Sequence, residues 1–364
     1  MKIVNNTYSN HLILSLSILL SQPTGISNYA KNLFPYLKSL NPTLLSAQNY
    51  PEFNCYLVSE NLSPAQGTKG HFNRLVWTQF QLPQIYKQLK SQLLFSPLPE
   101  APLYTNCRFV VMFHDLIPLR FPKRFSPLTP YHRHYVPQVL NQAQHIICNS
   151  HATAKDVIDF YHIPVSKITP IPLAHDRNHF RFLNLPTHNY FLYIGRHDPY
   201  KNIQRLITAF AALPNKGDYE LWLAGPTDER YTPVLQAQVA QLGITNQVKF
   251  LDYIPYSELP KIINEAIALV FPSLWEGFGL PVLEAMACGT PVITSNLSSL
   301  PEVAGDATIL INPHNTEEIT EAMQVIATDL GLRSRLSSQG ITHSQKFSWE
   351  KTGKATAEVL SRYL

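Results

Sequence analysis

Apolar residues in this chain fall in short runs separated by amphipathic stretches, and the alternation continues almost to the end. Phe109–Phe113 is apolar at every position and Leu12–Leu20 at all but Ser15 and Ser17, which predicts strands buried on both faces of a parallel sheet. In the first half the pattern predicts strands at Leu12–Leu20, Asn54–Val58, Arg74–Trp77, Gln92–Phe95, Phe109–Phe113, His145–Cys148 and Ile168–Ile171. Helices fit Ile26–Leu40, Gln81–Lys90, Pro127–Ala143 with a bend at Pro137, and Ala152–Tyr161. From Asp176 to His188 the pattern breaks, and Arg177, Asn178, Asn184, Pro186 and Thr187 read as a linker. A second series then predicts strands at Tyr190–Ile194, Glu220–Ala224, Val248–Leu251, Ala268–Phe271, Pro291–Thr294 and Thr308–Ile311. Its helices lie near Ile203–Leu213, Tyr231–Leu242, Ser257–Glu265, Pro281–Ala287, Thr316–Thr328 and Leu332–Lys346, with a last helix at Trp349–Tyr363. Two βα series predict an α/β chain of two Rossmann-like parallel-sheet domains facing across a cleft, 1–180 and 188–346, followed by a closing segment 347–364. Ligands of such sheets sit at strand C-termini.

One stretch, Ser273–Glu284, stands out as strand end, glycine loop and helix start. It carries Glu276 and Glu284, with Gly277, Gly279 and Pro281 between them. Pro281 suits the first helical turn, and Gly289 suits a left-handed stop. A glycine loop opening a helix offers free N–H groups to a phosphate, and the two carboxylates are able to bracket one elongated ligand. The plainer alternative is that Glu284 complements the helix dipole and Glu276 is solvated.

Other residues at predicted strand ends bear on this one. Arg196 follows a strand and Lys201 opens the next helix, so both cations suit a diphosphate, or else form a pair of exposed charges. His114 and Asp115 close the strand Phe109–Phe113, where a histidine serves hydroxyl binding or proton transfer, or simply caps the strand. Gly25 follows the first strand and allows close approach of a ligand. No G-x-G-x-x-G occurs there, which disfavours a nicotinamide oxidoreductase.

Composition narrows the classes. The chain has 364 residues, 45% hydrophobic and 15% charged, with a net charge of +4, too weakly basic to argue for nucleic acid. Its four cysteines have neither C-x-x-C nor zinc spacing; Cys55, Cys148 and Cys288 fall in apolar runs and read as buried thiols, and a reduced, cytoplasmic protein is expected. Leu12–Leu20 is too short to span a bilayer and lacks the marks of a signal peptide. Residues 116–155 contain no Asp or Glu but hold Arg120, Lys123, Arg124 and Arg133 among Phe121, Phe125, Tyr131 and Tyr135. They read as a peripheral docking face for anionic lipid headgroups or an anionic acceptor, or as an ordinary basic surface helix. No Asp-x-Asp, H-E-x-x-H, G-x-S-x-G or Walker loop is present, so no metal and no other cofactor is expected.

The block Glu276-Gly-Phe-Gly-Leu-Pro-Val-Leu-Glu284, continued by Ala285-Met-Ala-Cys-Gly-Thr-Pro-Val292, closely resembles the retaining glycosyltransferases of family 4 (glycosyl transferases group 1), which have the GT-B fold. The resemblance extends to Pro23–Tyr29, His114–Pro118, Gly195–Asn202, Leu300–Gly305 and Phe347–Trp349. One departure is the first loop, where many relatives carry several glycines and this chain has only Gly25. The resemblance implies a metal-independent hexosyltransferase that moves a sugar, with mannose as one candidate, from a nucleoside-diphosphate sugar to a glycan or lipid-linked acceptor in polysaccharide biosynthesis. It implies that His114, Glu276, Arg196 and Lys201 act in catalysis. Donor contacts would come from Gly25, Arg196, Lys201, Ile254, Glu276, Gly277, Phe278, Gly279, Leu280 and Glu284, with Glu284 on the ribose. It also implies that the last helix returns to the N-terminal domain. The alternatives are a nucleotide-sugar epimerase of the same fold and a catalytically inactive nucleotide-sugar-binding protein.

Overall fold

The computed structural model describes residues 3–4, 11–19, 25–63, 67–124 and 126–364. The chain divides into two compact units, one running to Leu173 and including Trp349–Leu364, the other spanning Ala174–Ser348. The expected boundaries at 180 and 188 therefore shift: residues 174–187 belong to the second unit, where Asn264 ties them down by accepting from the Leu183 N–H and donating to the Arg181 carbonyl.

The first unit holds β1 (Ile3–Val4), β2 (Leu12–Ser15), β3 (Thr43–Ser46), β4 (Asn54–Leu57), β5 (Leu93–Ser96), β6 (Phe109–Phe113), β7 (His145–Cys148) and β8 (Ile168–Pro170). They lie in the order β1-β4-β3-β2-β5-β6-β7-β8, all parallel except β1, which runs antiparallel to β4. The purely parallel expectation is corrected at that edge. The order reverses between β2 and β5, where doubly wound sheets open a crevice. Every residue of β2, β5, β6 and β7 is buried, Ser15, Ser96 and His145 among them, and β6 is apolar throughout.

Three expectations for this unit change. Arg74–Trp77 lies not in a strand but inside the helix Gly67–Phe80, which buries Gly70, Arg74, Trp77 and Thr78 at helical spacing. Arg74 stays charged there because Glu100 accepts from its Nε and Nη2 at 2.6 and 2.8 Å. The helix expected at Ile26–Leu40 tightens into a 3₁₀ segment at Phe34–Leu40, with Pro35 in its first turn. The one expected at Pro127–Ala143 is a short helix Leu128–Pro130, a π segment Tyr131–Tyr135 and a helix Val136–Gln142, with proline at both joints.

The helix Trp349–Ser361 packs within this first unit. Gly353 lets it approach closely, because a Cβ there would stand 2.3 Å from the Tyr36 Cβ. Thr352 donates to the Pro172 carbonyl at 2.8 Å, and the Tyr363 hydroxyl meets Nδ1 of His145 at 3.0 Å.

The second unit holds β9 (Tyr190–Ile194), β10 (Glu220–Ala224), β11 (Val248–Leu251), β12 (Ala268–Phe271), β13 (Val292–Ser295) and β14 (Ile309–Ile311). All are parallel, in the order β11-β10-β9-β12-β13-β14, and the reversal falls between β9 and β12. At the C-terminal ends of β9 and β10 the backbones nearly touch: a Cβ on Gly225, at φ +157°, would stand 1.9 Å from the Gly195 carbonyl oxygen. Among the described residues, no helix is long and apolar enough to cross a membrane.

Candidate active site

The loop after β12 and the loop after β9 flank the reversal point of the second sheet, and each supplies one member of an ion pair. Lys201 Nζ lies 2.6 Å from Glu276 Oε1, with only 12% and 10% of the two side chains exposed. Lys201 is aimed by its neighbours. Asn202 takes a left-handed turn at φ 62° and donates from Nδ2 to the carbonyls of Pro272 and Pro313 at 3.1 and 2.7 Å. The Leu274 N–H donates to the Tyr200 carbonyl at 2.8 Å and sews the two loops together. The ammonium also sits over the rings of Tyr200 and Phe271, at 5.2 and 5.3 Å from their centroids.

The glycine loop is held from β13. The Glu276 N–H donates to Ser298 Oγ at 3.0 Å, and the Ser299 hydroxyl reaches the carbonyls of Glu276 and Phe278 at 3.0 and 2.8 Å. Gly279 turns at φ 105° into the helix Leu280–Ala287, and a Cβ on it would stand 2.6 Å from Leu300 Cδ2. Gly277 and Phe278 are buried, and Leu280 and Pro281 open the helix, whose Val282 N–H donates to the Gly279 carbonyl at 3.0 Å. Ser298 and Ser299 escape a reading of the sequence, because a hydroxyl that ties one loop to another carries no spacing signal.

Glu284 lies on that helix, partly exposed, and burial alone raises its carboxyl from 4.5 to about 7. No opposite charge offsets the desolvation, so the group is ready to accept hydroxyl hydrogen bonds that would favour its ionised form. Arg196 stands apart from the Lys201–Glu276 pair. Its side chain is 64% exposed, and its Nε lies 3.1 Å from the carboxylate of buried Asp198. Of the two cations expected to converge, Lys201 pairs with Glu276 and Arg196 with Asp198. Ile254 is half-buried in the loop after the edge strand β11. Among the described residues no cluster of His, Cys, Asp and Glu is arranged to hold a metal ion.

In the first unit, His114 follows β6. One imidazole nitrogen, Nε2, lies 2.9 Å from the Pro97 carbonyl oxygen, which only accepts, so Nε2 carries the proton. Burial pulls the imidazole down to about 4, leaving it neutral with Nδ1 as an acceptor. Gly25 begins the helix Gly25–Leu33, exposed, with open space where a side chain would be; residues 20–24 before it lie outside the described residues.

Part of the basic-aromatic stretch 116–155 makes contacts inside the first unit. Arg120 donates from Nε to buried Asp156 at 3.0 Å and lies over the Phe160 ring. Tyr131 and Tyr135 turn their hydroxyls to the carbonyls of Pro99 and Ala101 at 3.3 and 3.0 Å. Phe125 lies outside the described residues. These contacts engage Arg120, Tyr131 and Tyr135 within the unit, while Arg124 and Arg133 stay exposed.

A doubly wound sheet with a carboxylate, a lysine and a helix start at its reversal point has the build of a site for nucleotide ligands. Residues 175–343 match the family Glycosyl transferases group 1, and residues 23–179 match Glycosyltransferase Family 4. The chain is 30% identical over 271 residues to the O-antigen chain mannosyltransferase B of Escherichia coli, covering 70% of each chain. Its fold is similar to that of a sucrose-phosphate synthase from Thermosynechococcus elongatus, at TM-score 0.74 and 20% identity over 96% of this chain and 98% of that one. It is similar also to Anabaena Alr3699/HepE in complex with UDP and glucose, at TM-score 0.74 and 18% identity over 96% of this chain and 99% of that one. The chain belongs to the group 1 glycosyl transferases, with the two Rossmann-like domains of the GT-B fold, and is a glycosyltransferase. Sugar transfer is favoured over the epimerase and the inactive binding protein.

Proposed function

We propose that this glycosyltransferase moves mannose from a nucleoside diphosphate to a glycan or lipid-linked glycan in cell-surface polysaccharide synthesis, with retention and without a metal ion. The observation that carries the reading is the Lys201–Glu276 pair at the reversal point between β9 and β12. The choice of mannose is supported by the Escherichia coli relative, an O-antigen chain mannosyltransferase. An incoming diphosphate takes up the charge of Lys201 and draws Arg196 away from Asp198. Glu276, released from its partner, accepts hydrogen bonds from the sugar hydroxyls. Glu284 accepts them from the ribose, and the N–H groups of the glycine loop and helix start face the phosphate. Neutral His114 accepts a hydrogen bond from a hydroxyl of the transferred sugar.

Chemistry follows from where charge develops. The acceptor hydroxyl attacks the anomeric carbon on the face that the phosphate leaves, a new C–O bond forms as the old one breaks, and the hydroxyl proton passes to the departing phosphate oxygen. Lys201 and Arg196 stabilise the diphosphate as its charge grows. The test is incubation of purified protein with GDP-mannose or UDP-glucose and a lipid-linked glycan, with and without EDTA. The expected result is an α-mannoside from the α-linked donor at a rate EDTA leaves unchanged. Transfer from UDP-glucose alone, an inverted product, or a strict need for added Mn²⁺ would each overturn the corresponding part of the reading.

A further inference from the structure

Three consecutive residues near the chain end, Phe347-Ser348-Trp349, leave the second unit and enter the first. Within the second unit, the Phe347 ring stands edge-on to Phe278 of the glycine loop, centroids 6.0 Å apart and planes at 78°. Phe347 is itself fixed, because Arg177 donates to the carbonyls of Gln345 and Phe347 at 2.5 and 3.1 Å, and the His343 ring lies 5.7 Å away. Within the first unit, buried Trp349 packs on Tyr29 at 6.2 Å between centroids. Tyr29, also buried, stands edge-on to His114 at 5.1 Å and 80°. The Trp349 indole N–H is buried without an acceptor among the described residues, as is the Tyr29 hydroxyl. Each half of the crossover therefore touches a group that touches a site residue.

We propose that Phe347 and Trp349 are positioning residues: Phe347 seats Phe278 and hence the loop that carries Glu276, and Trp349, through Tyr29, seats the His114 ring. The kinetic part of the inference rests on the transfer reading above, whereas the spectroscopic part does not.

The test compares Trp349→Ala, Trp349→Phe, Phe347→Ala and, as a control destabilised in the same helix, Leu360→Ala. Nitrogen-15 NMR follows the His114 ring and the amides of Gly277 and Gly279. Trp349→Ala is expected to release the fixed Nε2–H tautomer and to move the His114 titration from about 4 back toward 6.5. Trp349→Phe keeps the wild-type signals, and so does Leu360→Ala. Phe347→Ala shifts the Gly277 and Gly279 amides and leaves His114 in place. With GDP-mannose, Trp349→Ala lowers kcat roughly 10- to 100-fold with donor KM nearly constant, the cost of a misplaced group. Phe347→Ala raises donor KM instead. Unmoved His114 signals in Trp349→Ala, or an equal response in Leu360→Ala, overturn the role of Trp349; unmoved glycine amides in Phe347→Ala overturn that of Phe347. A wild-type protein that does not turn over GDP-mannose would refute the mannosyl donor, while the NMR comparison still decides the positioning roles.

Discussion

Glu284 and the Lys201–Glu276 pair handle buried charge in opposite ways, and each way has a measurable consequence. Burial raises Glu284 from 4.5 to about 7. Between those values the unfolded chain has lost the proton that the folded chain keeps, so stability falls as pH rises from about 4.5 to about 7. Glu284→Gln should melt higher than wild type above pH 7, with the difference vanishing toward pH 4.5. The same variant should bind nucleotide about 10- to 100-fold more weakly, the worth of hydrogen bonds to a charged group, and lose the rise of affinity with pH. Calorimetry of GDP binding across that range checks both signs. Lys201 and Glu276 instead compensate each other at 2.6 Å. Lys201→Met leaves a carboxylate unpaired and should cost about 3 kcal/mol, most of it recovered in Lys201→Met/Glu276→Gln, with activity lost in both. Denaturant melts of wild type, Lys201→Met, Glu276→Gln and the double variant measure the coupling. The sequence exposed these groups by type and spacing, but not their states: nothing in the spacing shows that Lys201 meets Glu276 while Asp198 takes Arg196.

Elements were legible where both faces of a strand are buried. The first four strands of the second unit start and end at the predicted residues; in Ala268–Phe271, apolar and buried throughout, no polar position blurs the limits, whereas Val248–Leu251 is an edge strand with Lys249 exposed and its limits follow its flanking turns. Thr43–Ser46, buried throughout, went unread because Thr43 and Ser46 carry hydroxyls. Arg74–Trp77 was misread as a strand because the buried position 74 is an arginine, and only its pairing with Glu100 makes it a core residue. Loop geometry hid most completely. The close approach of Gly195 and Gly225 comes from two adjacent strands ending together, which neither local sequence reveals. Gly225→Ala places a methyl 1.9 Å from the Gly195 carbonyl oxygen, so the loop of Arg196 must shift, and a loss above about 3 kcal/mol is expected. Gly217→Ala meets open space and should stay within about 1 kcal/mol of wild type. Thermal melts of the two alanine variants decide the point.

At the scale of the molecule, the chain builds one doubly wound sheet, then another, and then returns sixteen residues to the first unit. That return was expected from the resemblance alone, since no hydrophobic period says which unit a terminal helix joins. It depends on the contact of Gly353 with Tyr36, so Gly353→Ala should loosen the helix, and faster amide exchange in the first unit, with the second unchanged, would be its signature. The central claim is that the loop after β12 holds the sugar of an activated donor. Its most direct test is the initial rate of mannosyl transfer from GDP-mannose by wild type and by Glu276→Ala, with circular dichroism and the melting curve as controls for folding. The account predicts a fall of roughly a thousandfold in the variant, with its fold intact. A wild-type rate in folded Glu276→Ala would contradict it.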